Sequence, residues 1–177
     1  VSRLNNELGL VIVITGEGKG KTTAAFGQAM RAVGHGLNVI VIQFLKRFDS
    51  GEVRAAGQLD GLTVKQFGTG DYGDLDHPEP REFEMARLGL HAAKDALNDS
   101  QYDMVILDEI NLALHYKLIP LDEVLLMIRN RRPGVDLILT GRYAPPELVE
   151  LADTVSEITE VKHHQNAGRD ARRGIEY

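Results

Sequence analysis

Runs of β-branched and aliphatic residues recur along the chain and are separated by segments with helical periodicity. The strand candidates are Gly9–Ile14, Asn38–Phe44, Leu62–Phe67, Met104–Leu107, Val135–Leu139 and Thr154–Glu160. Several are apolar at almost every position instead of alternating, as strands covered on both faces are. The helix candidates are Gly20–Val33, Pro80–Asn98, Leu121–Arg131 and Pro146–Leu151. In Pro80–Asn98 the apolar residues Phe83, Ala86, Leu90, Ala93 and Leu97 follow the helical period and define one buried stripe. This β/α alternation predicts an α/β three-layer sandwich with a mostly parallel central sheet. In such a sheet ligands collect at the carboxyl ends of the strands. No repeat or long linker interrupts residues 1–177, so one domain is expected. The stretch 68–80 is rich in Gly and Asp and is the longest irregular segment. It reads equally as a functional loop or as a surface excursion.

Composition removes several kinds of chemistry. The chain has 177 residues, enough for a sizeable core, and a net charge of −6, which opposes a broad basic face for nucleic acid. It has no cysteine, so disulfides, zinc–thiolate sites, iron–sulfur clusters and thiol nucleophiles are excluded. No apolar run approaches the roughly 18 residues of a membrane span. A cytoplasmic protein that contacts neither membrane nor nucleic acid is expected. The first residue is Val, and only eight residues precede the first strand, so a truncated and a naturally short form read alike.

The candidate chemistry begins at residues 15–23, TGEGKGKTT, directly after the apolar run GLVIVI. A strand, then glycines, then Lys–Thr opening a helix is the layout of a phosphate-binding loop. Glycine admits positive φ and lets backbone N–H groups converge. The helix N-terminus adds partial positive charge. Lys21, read as an exposed loop side chain, reaches phosphate oxygens, and the Thr22 hydroxyl is suited to Mg²⁺. The standard spacing asks for glycine five positions before Gly20; that position is Thr15, and glycine follows at Gly16. Lys19 is a further cation that reads either as a phosphate contact or as a solvated side chain. A second signal is YDMVILDE at 102–109, an apolar strand ending in Asp108 and Glu109. A carboxylate at such a strand end holds magnesium in phosphate-loop proteins, although acids there also suit a helix start.

Binding of a nucleotide does not name a reaction. No general base or water-positioning residue for attack on a γ-phosphate is legible. The six histidines give no zinc-type pair, and the adjacent His163 and His164 are expected to point in different directions.

The blocks TGEGKGKTTAAFG (15–27), VIQFLK (41–46), VILDE (105–109), TGR (140–142) and ADTVSEITEVKHHQNAGRDARRGIEY (152–177) together resemble the P-loop type ATP:corrinoid adenosyltransferases, with a RecA-like nucleotide-binding fold. The resemblance runs from Gly9 nearly to the end of the chain. It implies ATP and Mg²⁺ at the loop and a reduced corrinoid, cob(I)alamin, as co-substrate. The cobalt attacks C5′ of the ribose and intact triphosphate leaves. The cobalt is itself the nucleophile, so the protein needs none of its own. Lys21, Thr22 and Glu109 then carry the catalytic work. Thr15, Gly16, Glu17, Gly18, Lys19, Gly20, Lys21, Thr22, Thr23 and Arg142 hold the nucleotide, and Thr22, Asp108 and Glu109 the magnesium. Gln43 and Phe44 end the second strand near the same edge. The resemblance further implies an electron-donating flavoprotein reductase as partner, a homodimer, and a place in adenosylcobalamin biosynthesis or salvage. A small-molecule kinase and a nucleotide-dependent corrinoid-binding module are the competing readings.

The chain departs from the family pattern in two side chains or segments. Glu17 stands where many members carry asparagine. A GFTW-like segment whose aromatics help remove the lower axial ligand of the corrinoid is replaced by FGTGDYGD, 67–74, and tryptophan is absent. Phe67 and Tyr72 are the aromatics available to face the corrin. Arg169, Arg172 and Arg173 are expected on a solvated helix face.

Overall fold

The computed structural model describes residues 9–70 and 75–176. Its centre is a six-stranded sheet of β1 (Val11–Thr15), β2 (Val39–Phe44), β3 (Leu62–Phe67), β4 (Met104–Asp108), β5 (Asp136–Thr140) and β6 (Thr154–Glu157). The strand order is β3-β2-β4-β5-β1-β6. Every pairing is parallel, so the sheet goes beyond the mostly parallel expectation. All six expected strands form, and β6 ends three residues earlier than the pattern gave.

The helices are α1 (Lys21–Gly34), α2 (Gly51–Ala56), α3 (Pro80–Asn98), α4 (Ile110–His115), α5 (Leu121–Arg129) and α6 (Pro146–Leu151), followed by a 3-10 turn at His164–Ala167. α2, α4 and the 3-10 turn were not expected: six residues or fewer display no period, and only α6, equally short, is marked by the prolines that open it. Residues 168–173 are irregular, so Arg169, Arg172 and Arg173 are solvated but lie on no helix face.

Parallel pairing explains the continuous apolar runs. Alternate residues of β1, β2, β4 and β5 enter opposite cores, so both sets must be largely hydrophobic. Val11, Val13, Ile40, Ile42, Val105, Leu107, Leu137 and Leu139 pack with residues from α3, α4, α5 and α6. Ile14, Val39, Val41, Ile106 and Ile138 pack on the other face against Ala25, Phe26, Ala29 and Ala32 of α1 and Ala56 of α2. This is the expected three-layer sandwich. The small residues of α1 let it lie close beneath the middle of the sheet, where it touches β4 and β5. Its N-terminus therefore opens at the carboxyl ends of the central strands.

α3 starts at a capping box: Glu79 and Glu82 each satisfy the other's backbone, and Glu82 Oε2 accepts from the Glu79 N–H at 2.8 Å. This accounts for the burial of Glu82, an acid in an otherwise apolar neighbourhood.

Candidate functional site

Three neighbouring strands end in backbone that non-glycine residues seldom adopt. Leu45 follows β2 with φ 61°, Glu109 follows β4 with φ 63°, and Tyr143 lies just beyond β5 with φ 59°. Left-handed backbone at these positions costs energy and persists only where the surroundings impose it. All three lie on the sheet edge at which the loop after β1 opens.

That loop is shaped from two sides. Gly18 N–H donates to the Ile158 carbonyl at 2.7 Å, which ties the loop to the segment leaving β6. A Cβ on Gly16 would lie 2.5 Å from that carbonyl oxygen, and one on Gly18 at 2.8 Å. Gly16 and Gly20 also have φ of 98° and 123°. Glycine is thus required here by a backbone contact as well as by backbone angle. The Thr15 hydroxyl accepts from Ala144 N–H at 3.3 Å and joins the loop to the segment after β5.

Lys21 is not the exposed side chain its position in the sequence implied. It is 8% exposed, and its ammonium donates to the carbonyls of Gly16 and Gly18, both at 2.7 Å. The side chain curls back over its own loop because the carbonyls there have no strand partner. Burial lowers its pKa below 10.5, against the opposing pull of Glu109. Lys19 and Thr23 are exposed, and Lys19 Nζ donates to the Ile175 carbonyl at 2.6 Å.

Beneath the loop lies a buried polar knot centred on Asp108. Its Oδ1 accepts from the hydroxyls of Thr22 at 2.9 Å and Thr140 at 2.6 Å. Its Oδ2 accepts from Gln43 Nε2 at 3.0 Å and Lys46 Nζ at 2.7 Å. Lys46 also donates to Thr22 Oγ1 at 3.0 Å and lies 3.9 Å from Glu109 Oε1. Gln66 Nε2 donates to Gln43 Oε1 at 2.9 Å and to the Phe48 carbonyl at 3.0 Å, which extends the knot to β3. Asp108 is fully buried. Burial alone would raise its pKa; Lys46, Thr140 and Gln43 outweigh that and hold it below the ordinary carboxylate value. Glu109 behaves oppositely: burial and the nearby Asp108 charge raise its pKa, although Lys46 opposes them. The Glu109 N–H donates to Thr140 Oγ1 at 3.0 Å, which fixes the turn out of β4.

The other sequence-predicted residues divide into two groups. Arg142 sits on the rim of the loop and pairs with Glu17, Nε to Oε2 at 3.3 Å, and its guanidinium also reaches the Glu17 carbonyl at 3.4 Å. The acid at position 17 is therefore directed at an arginine. Phe67 is on the far side of Gln43, half-buried against the larger core. With Leu45, Gly68, Thr69, Leu75, Glu82 and Met85 it lines a small apolar pocket. Tyr72 lies outside the described residues. Phe44 is fully buried core. The rings of His163 and His164 stack at 4.6 Å, contrary to the expectation that they diverge. The extended backbone at His163 runs straight into a 3-10 turn, which brings the second ring back over the first.

Sequence reasoning missed Lys46, Thr140 and Gln66. The available signal was a polar side chain at the end of an otherwise apolar strand, Gln43 and Lys46 in VIQFLK and Thr140 in LILT. Buried polar groups of this kind must be paired, and here they pair with one another.

The loop, the helix behind it and the parallel sheet define a three-layer α/β sandwich of the P-loop NTPase-like type. Comparison with known proteins is more specific. Residues 7–177 match the family described as ATP:corrinoid adenosyltransferase BtuR/CobO/CobP, and the chain belongs to this family. It is 43% identical over 178 residues to the corrinoid adenosyltransferase of Escherichia coli (strain K12), spanning all of this chain and 90% of that protein. It is 42% identical over 179 residues to corrinoid adenosyltransferase CobA of Salmonella typhimurium, again spanning all of this chain and 90% of the relative. The corrinoid adenosyltransferase of Pseudomonas aeruginosa is 35% identical over 179 residues, covering 100% of this chain and 88% of that one.

Proposed function

We propose that this protein transfers the 5′-deoxyadenosyl group of MgATP to the Co(I) centre of a reduced corrinoid and releases inorganic triphosphate, in adenosylcobalamin biosynthesis or salvage. A cobalt–carbon bond forms to C5′, the C5′–oxygen bond breaks, and its electron pair leaves with the triphosphate. The observation that carries the reading is the loop of residues 15–23 closed over Lys21 and stacked on the Thr22–Asp108 pair, in a chain of this family.

The substrate cobalt supplies the electrons, so the protein's work is alignment and charge neutralisation. Lys21 gives up two backbone carbonyls and takes phosphate oxygens instead. The N–H groups of residues 16–23 and the dipole of α1 hold the remaining charge. Arg142, already at the loop rim, turns from Glu17 to the nucleotide. The residues fit a magnesium ion: every donor is oxygen, and the Thr22 proton points at Asp108, which leaves an Oγ1 lone pair for a cation. Thr22 would hold it, with Asp108 and Glu109 supporting. When bound, Mg²⁺ supplies charge to the leaving triphosphate. The apolar pocket at the end of β3, with Phe67, suits the corrinoid side. A flavoprotein reductase as electron source, a homodimeric assembly and a cytoplasmic setting complete the proposal.

The test is an anaerobic assay with chemically reduced cobalamin and ATP. A cobalt–carbon product with stoichiometric triphosphate is expected. ADP and a phosphorylated acceptor would instead identify a kinase. Tight binding of both ligands with no turnover would identify a corrinoid-binding module.

A further inference from the structure

Lys46 is buried, 7% exposed, and its ammonium lies among the oxygens that the proposed reading assigns to magnesium. It is 2.7 Å from Asp108 Oδ2, 3.0 Å from Thr22 Oγ1 and 3.9 Å from Glu109 Oε1. The backbone delivers it there. Leu45 takes left-handed φ and its N–H donates to the Phe67 carbonyl at 2.9 Å, so the chain turns back over the strand ends. Gly68 locks the turn, since a Cβ on it would lie 2.5 Å from Lys46 N.

The acceptor capacity of Asp108 is fully used. A carboxylate offers about four lone-pair sites, and Asp108 fills its sites with Thr22, Thr140, Gln43 and Lys46. The single Thr22 proton goes to Asp108, so Thr22 Oγ1 faces Lys46 as an acceptor. A divalent cation reaching Thr22 Oγ1 would stand within a few ångströms of the ammonium, where two positive charges cannot share the same oxygens.

We infer that Lys46 is a built-in counter-ion of the nucleotide-free enzyme, occupying the metal corner and exchanged for the divalent cation when the triphosphate arrives. It keeps Asp108 and Thr22 in register without a metal and discourages metal binding before nucleotide. On exchange, the ammonium moves off Thr22 toward Glu109 or the triphosphate, where it remains as a positive charge on the reacting side. Lys46 is thus a positioning residue, acting through Thr22 and Asp108. The inference rests on the magnesium reading above.

The experiment is Mn²⁺ titration followed by electron paramagnetic resonance, without nucleotide and with ATP, on wild type, Lys46→Gln and Lys46→Arg. Without nucleotide, Lys46→Gln is expected to bind Mn²⁺ at least about tenfold tighter than wild type, because a like charge has gone. Its melting temperature is expected to rise with Mn²⁺ more than that of wild type, while Lys46→Arg stays weak. Equal affinities in folded wild type and Lys46→Gln, with Mn²⁺ still binding alongside ATP, overturn the counter-ion role and leave the magnesium reading standing. Mn²⁺ that fails to bind any of the three proteins even with ATP overturns both. A measurement on the wild-type chain covers the case in which Lys46→Gln does not fold. The ¹⁵N resonance of the Lys46 ammonium is expected to shift when MgATP is added, and a resonance that stays in place overturns the inference.

Discussion

The phosphate cradle and the apolar pocket at the end of β3 lie on the same edge of one sheet and are built in opposite ways. The cradle is nearly all polar, and its groups are paired before any ligand is present: Lys21 with two carbonyls, Asp108 with four donors, Glu17 with Arg142. Among the described residues the pocket is lined mainly by Leu45, Phe67, Leu75 and Met85, and the acid Glu82 there is engaged in capping α3. Polar groups in the cradle have fixed directions, and leaving one unmade in a buried site is costly, so it is preorganised by internal bonds. Apolar contact is non-directional and adapts to the shape of what enters. On the proposed reading, a triphosphate calls for the first kind of site and an apolar edge of the co-substrate for the second.

Altering the carboxylate at the centre of the cradle should have the largest effect. Asp108→Ala removes the carboxylate that Lys46 meets at 2.7 Å in a buried site, and a loss of about 3–5 kcal/mol in stability is expected by chemical denaturation. A loss below about 1 kcal/mol would show that the knot is not what holds this edge. Lys21→Ala should lower turnover by about 10²–10³, the usual scale for one preorganised charge-stabilising donor. It should also lower the melting temperature slightly, because the ammonium ties two carbonyls together in the free protein. Normal turnover in that variant would remove the triphosphate from this loop.

Gly16→Ala tests the loop's backbone. Positive φ and the nearby Ile158 carbonyl should together cost about 1–3 kcal/mol, read as a lower melting temperature and weaker ATP binding. An unchanged melt would mean the loop is free to shift. The affinity for ATP should also depend on pH through Lys21. Only the protonated amine attracts phosphate, and burial lowers its pKa in the free protein below 10.5. Affinity should therefore be full below that pKa and fall about tenfold per pH unit above it. In Lys21→Arg, whose guanidinium stays charged, this alkaline decline should disappear. The mildest change is on the other side of the comparison. Met85→Ala should raise the KM for corrinoid by a few-fold, consistent with the loss of part of one apolar contact, while KM for ATP stays the same. A matching rise in KM for ATP would mean the two regions are not separable.

The local pattern was enough to locate all six strands and four of the helices, because each run carries its own period and its own turn residues. It missed α2 and α4, which are too short for a period to show and, unlike α6, do not open on proline. It also marked the glycine-rich loop after β1, since TGEGKGKTT holds the glycines, the lysine and the threonine in a single stretch. The burial of Lys21 was missed because it depends on which carbonyls the loop leaves unpaired.

What the sequence settled alone is what depends on neighbours in the chain: the β/α alternation, the glycine-rich loop after the first strand, and an acid pair at the end of the fourth strand. Tertiary structure alone decided which strands would stand together. The order β3-β2-β4-β5-β1-β6 puts Gln43, Lys46, Asp108 and Thr140, spread over almost a hundred residues, around one carboxylate. Spacing along the chain carries no record of that convergence, because parallel strands joined by helices become neighbours only when the sheet closes over its two cores.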